Sequence, residues 1–193
     1  MLKKISLVSL LVATSLFSFE RASLGININN DDVEIEGRSS VEYFTDIPEY
    51  RNFFISGNYL NAKENLYGLG ISAENSPINY QNLLFSIGLK GVYSSKEADS
   101  FSALPITFGA KARLGFEGIP ETYLGIKADY APSVLTFQDG EDYSDYRVEL
   151  DANVIPNVNV YVGARRVNTN YKSGDFKLDS KAYAGFKFVI DPR

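Results

Sequence analysis

The chain has 193 residues, with 19 Lys or Arg against 24 Asp or Glu and a formal charge of −5. That length suits one domain, and an acidic balance without any basic cluster excludes nucleic acid as a partner. Cysteine and histidine are both absent, which removes disulfides, a thiol nucleophile, a lipidated cysteine, the usual neutral-pH general base and the commonest zinc ligand.

Residues 1–19 read as a secretory signal peptide. Lys3 and Lys4 give the charged start, Ile5 to Val12 a short apolar run, and Ala13-Thr14-Ser15 the small residues of a cleavage site, with Ser18 as an alternative. The apolar run is far shorter than the roughly 20 residues of a transmembrane helix. Residues 20–193 form a single domain with no linker or composition break.

After the signal come alternating segments, predicted as ten strands. The first are Ala22–Asn29, Val33–Phe44, Asn52–Leu60 and Leu66–Glu74; Asn82–Tyr93, Ser102–Phe116 and Thr122–Tyr130 follow. The clearest pair comes next. Tyr146, Val148, Leu150, Ala152 and Val154 alternate with Arg147, Glu149, Asp151 and Asn153; beyond Ile155-Pro156-Asn157, Val158, Val160, Val162 and Ala164 alternate with Asn159, Tyr161, Gly163 and Arg165. A period of two places each set on its own strand face, and the Pro-Asn connection makes an antiparallel hairpin. Leu178–Ile190 is the tenth strand. Ala131–Ser144 and Asn168–Lys177 read as long polar loops on one side, against short turns at Gly118 and Pro156 on the other. That is the asymmetry of outer-membrane barrels.

Alternation alone fits a membrane barrel, greasy outside, or a soluble barrel carrying an apolar ligand on a greasy inside. The glycines separate the two. Gly25, Gly68, Gly70, Gly88, Gly109, Gly115, Gly125, Gly163 and Gly185 share the face of the charged residues. There they would make room for long side chains folded into a narrow lumen. Tyr43, Tyr59, Tyr67, Tyr93, Tyr130 and Tyr146 lie towards strand ends, as in an interfacial girdle. The predicted fold is therefore all-β: an antiparallel transmembrane β-barrel of about ten strands (8–10). Its lumen is expected to be filled by an ion-pair network of Lys111, Arg113, Lys127, Asp129, Arg147, Glu149, Asp151 and Arg165, in near charge balance and poorly conducting.

Tyr130-Ala131-Pro132-Ser133-Val134-Leu135-Thr136-Phe137, Asp139-Gly140-Glu141, Tyr143, Tyr146-Arg147, Ile155-Pro156-Asn157, Tyr161, Gly163 and Thr169-Asn170-Tyr171 together resemble the YfaZ family of predicted outer-membrane proteins. The resemblance covers essentially the whole mature chain and implies a Gram-negative outer-membrane barrel. It implies no reaction or ligand. The chain end resembles a barrel-assembly signal in Tyr183, Gly185, Phe188 and Ile190, departing from it by ending on Ile190 instead of an aromatic residue, with Asp191-Pro192-Arg193 trailing. The partners so implied are outer-membrane lipid, lipopolysaccharide and the barrel-assembly machinery.

Candidate chemistry is sparse. Glu149 and Asp151 share a face and could pair for acid–base work; they are expected instead to neutralise Arg147, Arg165 and Lys127. Asp139, Glu141, Asp142 and Asp145 form an acidic stretch with oxygen ligands for Ca²⁺ but no EF-hand order, read as a solvated loop. Arg165 and Arg166 could meet lipopolysaccharide phosphates; lumen pairing and snorkelling account for them equally well. No catalytic, cofactor-binding or metal-binding residue is assigned, no cofactor is expected, and the reading is of a protein without enzymatic activity. The expected role is structural, adhesive or that of a minor pore.

Overall fold

The computed structural model describes residues 22–45, 47–80, 82–96, 99–115, 118, 120–172 and 174–190; the predicted signal peptide lies outside them. The strands are β1 (Ala22–Ile28), β2 (Val33–Ser40), β3 (Phe53–Asn61), β4 (Asn65–Asn75), β5 (Leu83–Lys96), β6 (Asp99–Ala103), β7 (Ile106–Leu114), β8 (Thr122–Ala131), β9 (Thr136–Gln138), β10 (Gly140–Ile155), β11 (Val158–Tyr171) and β12 (Gly174–Ile190). Ten of them, all but β6 and β9, close an antiparallel barrel in which each pairs with its neighbours. The seam joins the two chain ends, from Ala22↔Ile190 to Ile28↔Ala184. Closure leaves no unpaired edge. No helix among the described residues is long and apolar enough to cross a membrane.

Both ends of the barrel chain, Ala22 and Ile190, lie at one end, here the near end, together with the Pro156-Asn157 turn and the loops after β2 and β4. The near-end hairpin forms because Pro156 sits at a turn position and Asn157 accepts the left-handed backbone, with φ 66°. The far end carries the tight turns after β1, β3 and β11 and the small extension β6–β9.

The apolar set faces outwards. Leu69, Ile71, Phe85, Ile87, Leu89, Phe108, Ile126, Val148, Leu150, Val160, Val162 and Phe188 are all exposed. Along β10 this belt runs from Tyr146 to Val154, about 26 Å of strand at ~3.3 Å per residue. At its far edge Tyr59, Tyr67 and Tyr93 stand in register on β3, β4 and β5, with ring centroids 5.1 and 6.5 Å apart. Tyr130 and Tyr146 continue the exposed row.

Beyond that row the polarity of the two faces reverses. On the outside, Tyr146 and Ala164 give way to Ser144, Asp142, Asn168 and Asn170, which bond across the strands as Asn168–Ser144 at 3.1 Å and Asn170–Asp142 at 3.0 Å. On the inside, Arg147 and Arg165 give way to Tyr143, Val167 and Tyr171. These join Leu60, Leu66, Val92, Phe101, Ala103, Ala131 and Leu178 in a buried cluster. It draws on β3, β4 and β5 on one side and β10, β11 and β12 on the other, so it spans the barrel mouth. Phe101 of the extension is its centre, 5.9 Å from Tyr143 and 5.7 Å from Tyr171. The barrel is a cup, sealed at the far end by an apolar plug.

Four expectations about the elements need correction. Ser102–Phe116 is two strands, because Pro105 has no N–H to continue a ladder; around it Leu104 N–H donates to Leu135 and Lys90 N–H to the Pro105 carbonyl. Val33–Phe44 stops at Ser40, and a helical turn, Glu42–Thr45, follows. Ala131–Ser144 and Asn168–Lys177 are not long loops but continuations of β10, β11 and β12 beyond the belt, with β9 added. Asp145 is accordingly not a solvated loop residue: it is buried inside the barrel. Their polar residues lie mostly on the outer face, while Ala131, Tyr143 and Tyr171 are buried inside, with Thr136 and Thr169 buried as well.

Candidate functional site

Inside the belt the lumen is built around Glu34 of β2, which is fully buried. Its carboxylate accepts from Arg147 at 2.7 and 2.9 Å, from Arg165 at 2.6 Å, and from the amides of Asn27 and Asn58 at 2.9 Å each. Arg147 also donates to Asp145 at 2.7–3.0 Å, and Arg165 to Asp179. Two guanidiniums buried in the barrel thus meet three carboxylates from three different strands. Charges taken out of water need that degree of pairing. Beside them Lys90 contacts Asp129 at 3.0 Å, both buried.

Nearer the termini comes a layer with tyrosines. Tyr161 faces Gly185 across β11–β12, and Tyr183 faces Gly163. A Cβ on Gly185 or Gly163 would lie 2.6 Å from the opposing ring, so each glycine is the seat of a tyrosine. Tyr183 donates to Glu149 at 3.2 Å and Tyr161 to Asn27. We predict that Gly185→Ala displaces the Tyr161 ring and costs about 1–3 kcal/mol, the usual penalty of overpacking. A lowered urea midpoint of the detergent-folded barrel checks this, and an unchanged midpoint would contradict the seat.

The remaining near-end space is a cavity of about 870 Å³ that reaches the rim at Arg51, Asn52, Asn75 and Ser76. Its walls are unlike. One carries Glu36, Arg147, Glu149, Asp151 and Lys187; the other, on β3, β4, β5 and β7, carries mainly small or uncharged residues, Ser56, Asn58, Gly70, Ser72, Ser86 and Gly109, with Glu74, Lys90 and Lys111 among them. Eight-stranded barrels have interiors just filled by side chains. Ten strands whose lumen face is small on one side leave room.

The sequence-predicted lumen residues fall as follows. Lys127, Asp129, Arg147, Glu149, Asp151 and Lys111 line one connected wall across β7, β8 and β10. Lys111 and Lys187 each lie 3.5 Å from Asp151, and Lys187 lies 3.4 Å from Glu149. Arg113 instead sits at the exposed near-end rim, paired with Glu121. The expected partners were misassigned: Glu149 and Asp151 meet lysines and Tyr183, while the arginines are neutralised by Glu34, Asp145 and Asp179. Asp145 shares the alternation of Arg147 and was legible from that spacing. Asp179 was not, because Leu178 is an extra residue between the pairs Val167↔Asp179 and Asn168↔Lys177; this bulge turns both Leu178 and Asp179 inward.

The glycine argument holds at Gly25, Gly68, Gly163 and Gly185, where long side chains or rings lie against the backbone. It fails at Gly115, which faces open space, and at Gly125, whose nearest such atom is a backbone oxygen at 3.9 Å. Of the proposed assembly residues on β12, Tyr183 is buried in the lumen, Gly185 seats Tyr161, Phe188 points outwards with Phe186 5.5 Å away, and Ile190 pairs with Ala22. Asp139 and Glu141 are exposed, and Asp139 accepts the Ser100 N–H at 3.0 Å. Arg166 is exposed on the outer face, just beyond the belt. Among the described residues no group of three His, Cys, Asp or Glu side chains is arranged to hold a metal.

No curated protein matches the chain. A family model described as YfaZ precursor matches residues 2–190, which is the full barrel from β1 to β12. The chain therefore belongs to the YfaZ family.

Proposed function

We propose that the protein is a small outer-membrane β-barrel of a Gram-negative cell, non-enzymatic and non-conducting, with its cavity open to the periplasm. The observation that carries this reading is the reversal of face polarity at the tyrosine row. An apolar exterior over a charged interior suits hydrocarbon, and a polar exterior over an apolar interior suits water; one barrel carries both, divided by a girdle of exposed tyrosines. With the termini on the periplasmic side, the plug faces outside the cell and lipopolysaccharide surrounds the far edge of the belt. A soluble carrier of an apolar ligand would need its Leu/Phe face inside, where lysines, arginines and carboxylates stand instead.

Alkaline carbonate extraction of cell envelopes tests the reading. The protein is expected to stay with the outer-membrane pellet, and release into the supernatant would refute it. A second expectation concerns conduction. The apolar plug and the Glu34 cluster block the lumen in series, so purified protein in planar bilayers should give no steady conductance. Large ion-selective channels would show that the plug opens.

A further inference from the structure

We propose that the outer face of the barrel holds one acyl chain of a phosphatidylethanolamine molecule in an oblique groove that runs from the near rim to Tyr146. The proposal rests on the outer-membrane reading, which puts this face in hydrocarbon and the near rim at the periplasmic leaflet. The groove follows a row of directly paired, outward residues: Phe53, Ala73, Ile87, Phe108, Ala128 and Tyr146 on β3, β4, β5, β7, β8 and β10. Five strand spacings of ~4.8 Å make it about 24 Å long. Strands tilted by about 35–45° carry such a row obliquely across the belt, from Phe53 beside the rim to the tyrosine row.

The row is hollow because alanines interrupt its large residues. Ala73 and Ala128 stand in it, and Ala110 stands in the row beside it, directly paired with Phe85 and Ile126. Phe85, Phe108 and Ile126 are each about half exposed and rise around these alanines. The space between them is about 870 Å³, within the range of small-molecule sites. A void on an apolar surface forfeits dispersion contacts. A second barrel would meet this face with its own convex belt and bridge the hollow, whereas a flexible hydrocarbon chain fills it.

The polar end of the groove chooses the headgroup. Glu49, Asn52 and Asn75 line it there. Glu49 and Asn52 sit three residues apart on the 3₁₀ turn Pro48–Asn52, a spacing that stacks side chains on one face. Glu49 is exposed and pairs with no base among the described residues, while Glu74 beside it is already held by Arg38 at 2.6 Å. No basic side chain competes for the lipid. Lys127 reaches into the lumen towards Asp129, and Arg51 opens on the lumen cavity. A carboxylate with two neighbouring amides suits the primary ammonium of ethanolamine. The same carboxylate disfavours phosphatidylglycerol, whose phosphate charge no ammonium offsets.

The test is native mass spectrometry of the detergent-folded barrel, its folding first confirmed by heat-modifiable gel mobility. It is titrated with palmitoyl-oleoyl phosphatidylethanolamine or palmitoyl-oleoyl phosphatidylglycerol. One ethanolamine lipid per barrel should survive removal of the detergent, with an apparent affinity at least tenfold above that of the glycerol lipid. Ala110→Phe with Ala128→Phe fills the hollow and leaves the belt apolar, and should abolish that retention. Ala184→Phe, on the exposed face of β12, should leave it unchanged, and Glu49→Gln should remove the preference between the two lipids. Should the double variant not fold, Ala110→Leu alone is expected to weaken retention severalfold. Retention unchanged in the filled variant, equal retention of the two lipids by the unaltered barrel, or a dimer mass that disappears on filling the groove would overturn the proposal. Release on carbonate extraction with the lipid still retained would withdraw the membrane reading alone. A protein that stays in the pellet but retains no lipid would withdraw this site alone.

Discussion

Leu150→Arg is expected to abolish assembly of the barrel in the membrane. Leu150 stands midway along the exposed belt of β10, between Tyr146 and Val154, and its side chain points outwards. An arginine facing lipid at mid-depth costs about 2–4 kcal/mol, a large share of the ~5–15 kcal/mol that holds a typical domain folded. Asn170→Arg makes the same chemical change beyond the tyrosine row, where the outer face already carries Asp142 and Asn168, and should be tolerated. The measurement is the amount of heat-modifiable protein in the outer-membrane fraction. Equal amounts of the two variants would mean that the belt does not meet hydrocarbon.

This contrast depends on a feature the sequence disclosed only in part. The hairpin from Tyr146 to Arg165 was legible because its two faces differ at every step, and one unbroken period of two admits one register. All ten barrel strands were recoverable on the same ground. The far-end plug was not. Its residues, such as Tyr143, Val167 and Tyr171, lie among Asp, Ser, Asn and Thr, so the stretch looks like a polar loop when the outer face is read as the whole. Two local events hide the continuity further: Pro105 ends one ladder and starts another, and the bulge at Leu178 shifts the alternation by one residue. The lumen partners were hidden for a different reason. Alternation says which residues face inward, but ion pairing across a barrel joins strands far apart in sequence, as Glu34 joins Arg147 and Arg165. Which acid reaches which base depends on strand tilt and stagger, which no single strand encodes.

Glu34 is for that reason the position where one lumen substitution should have its largest effect. Its two oxygens accept five hydrogen bonds, three from guanidiniums and two from amides. Glu34→Gln keeps the shape but removes the charge and replaces one acceptor with a donor aimed at Arg147 or Arg165. Asp145 and Asp179 still answer those arginines from the other side, but the carboxylate that joins the two guanidiniums, and its charge-assisted hydrogen bonds to both, are lost. Breaking a buried ion pair by removing one partner typically costs about 3–5 kcal/mol, more than an exposed pair would lose. The exposed pair Arg113–Glu121 at the rim supplies the comparison, and Glu121→Gln should shift stability by less than about 1 kcal/mol. Urea unfolding of the two variants in detergent, followed by tyrosine fluorescence, gives both numbers. A Glu34→Gln midpoint as mild as that of Glu121→Gln would mean that water reaches the cluster and the lumen is open.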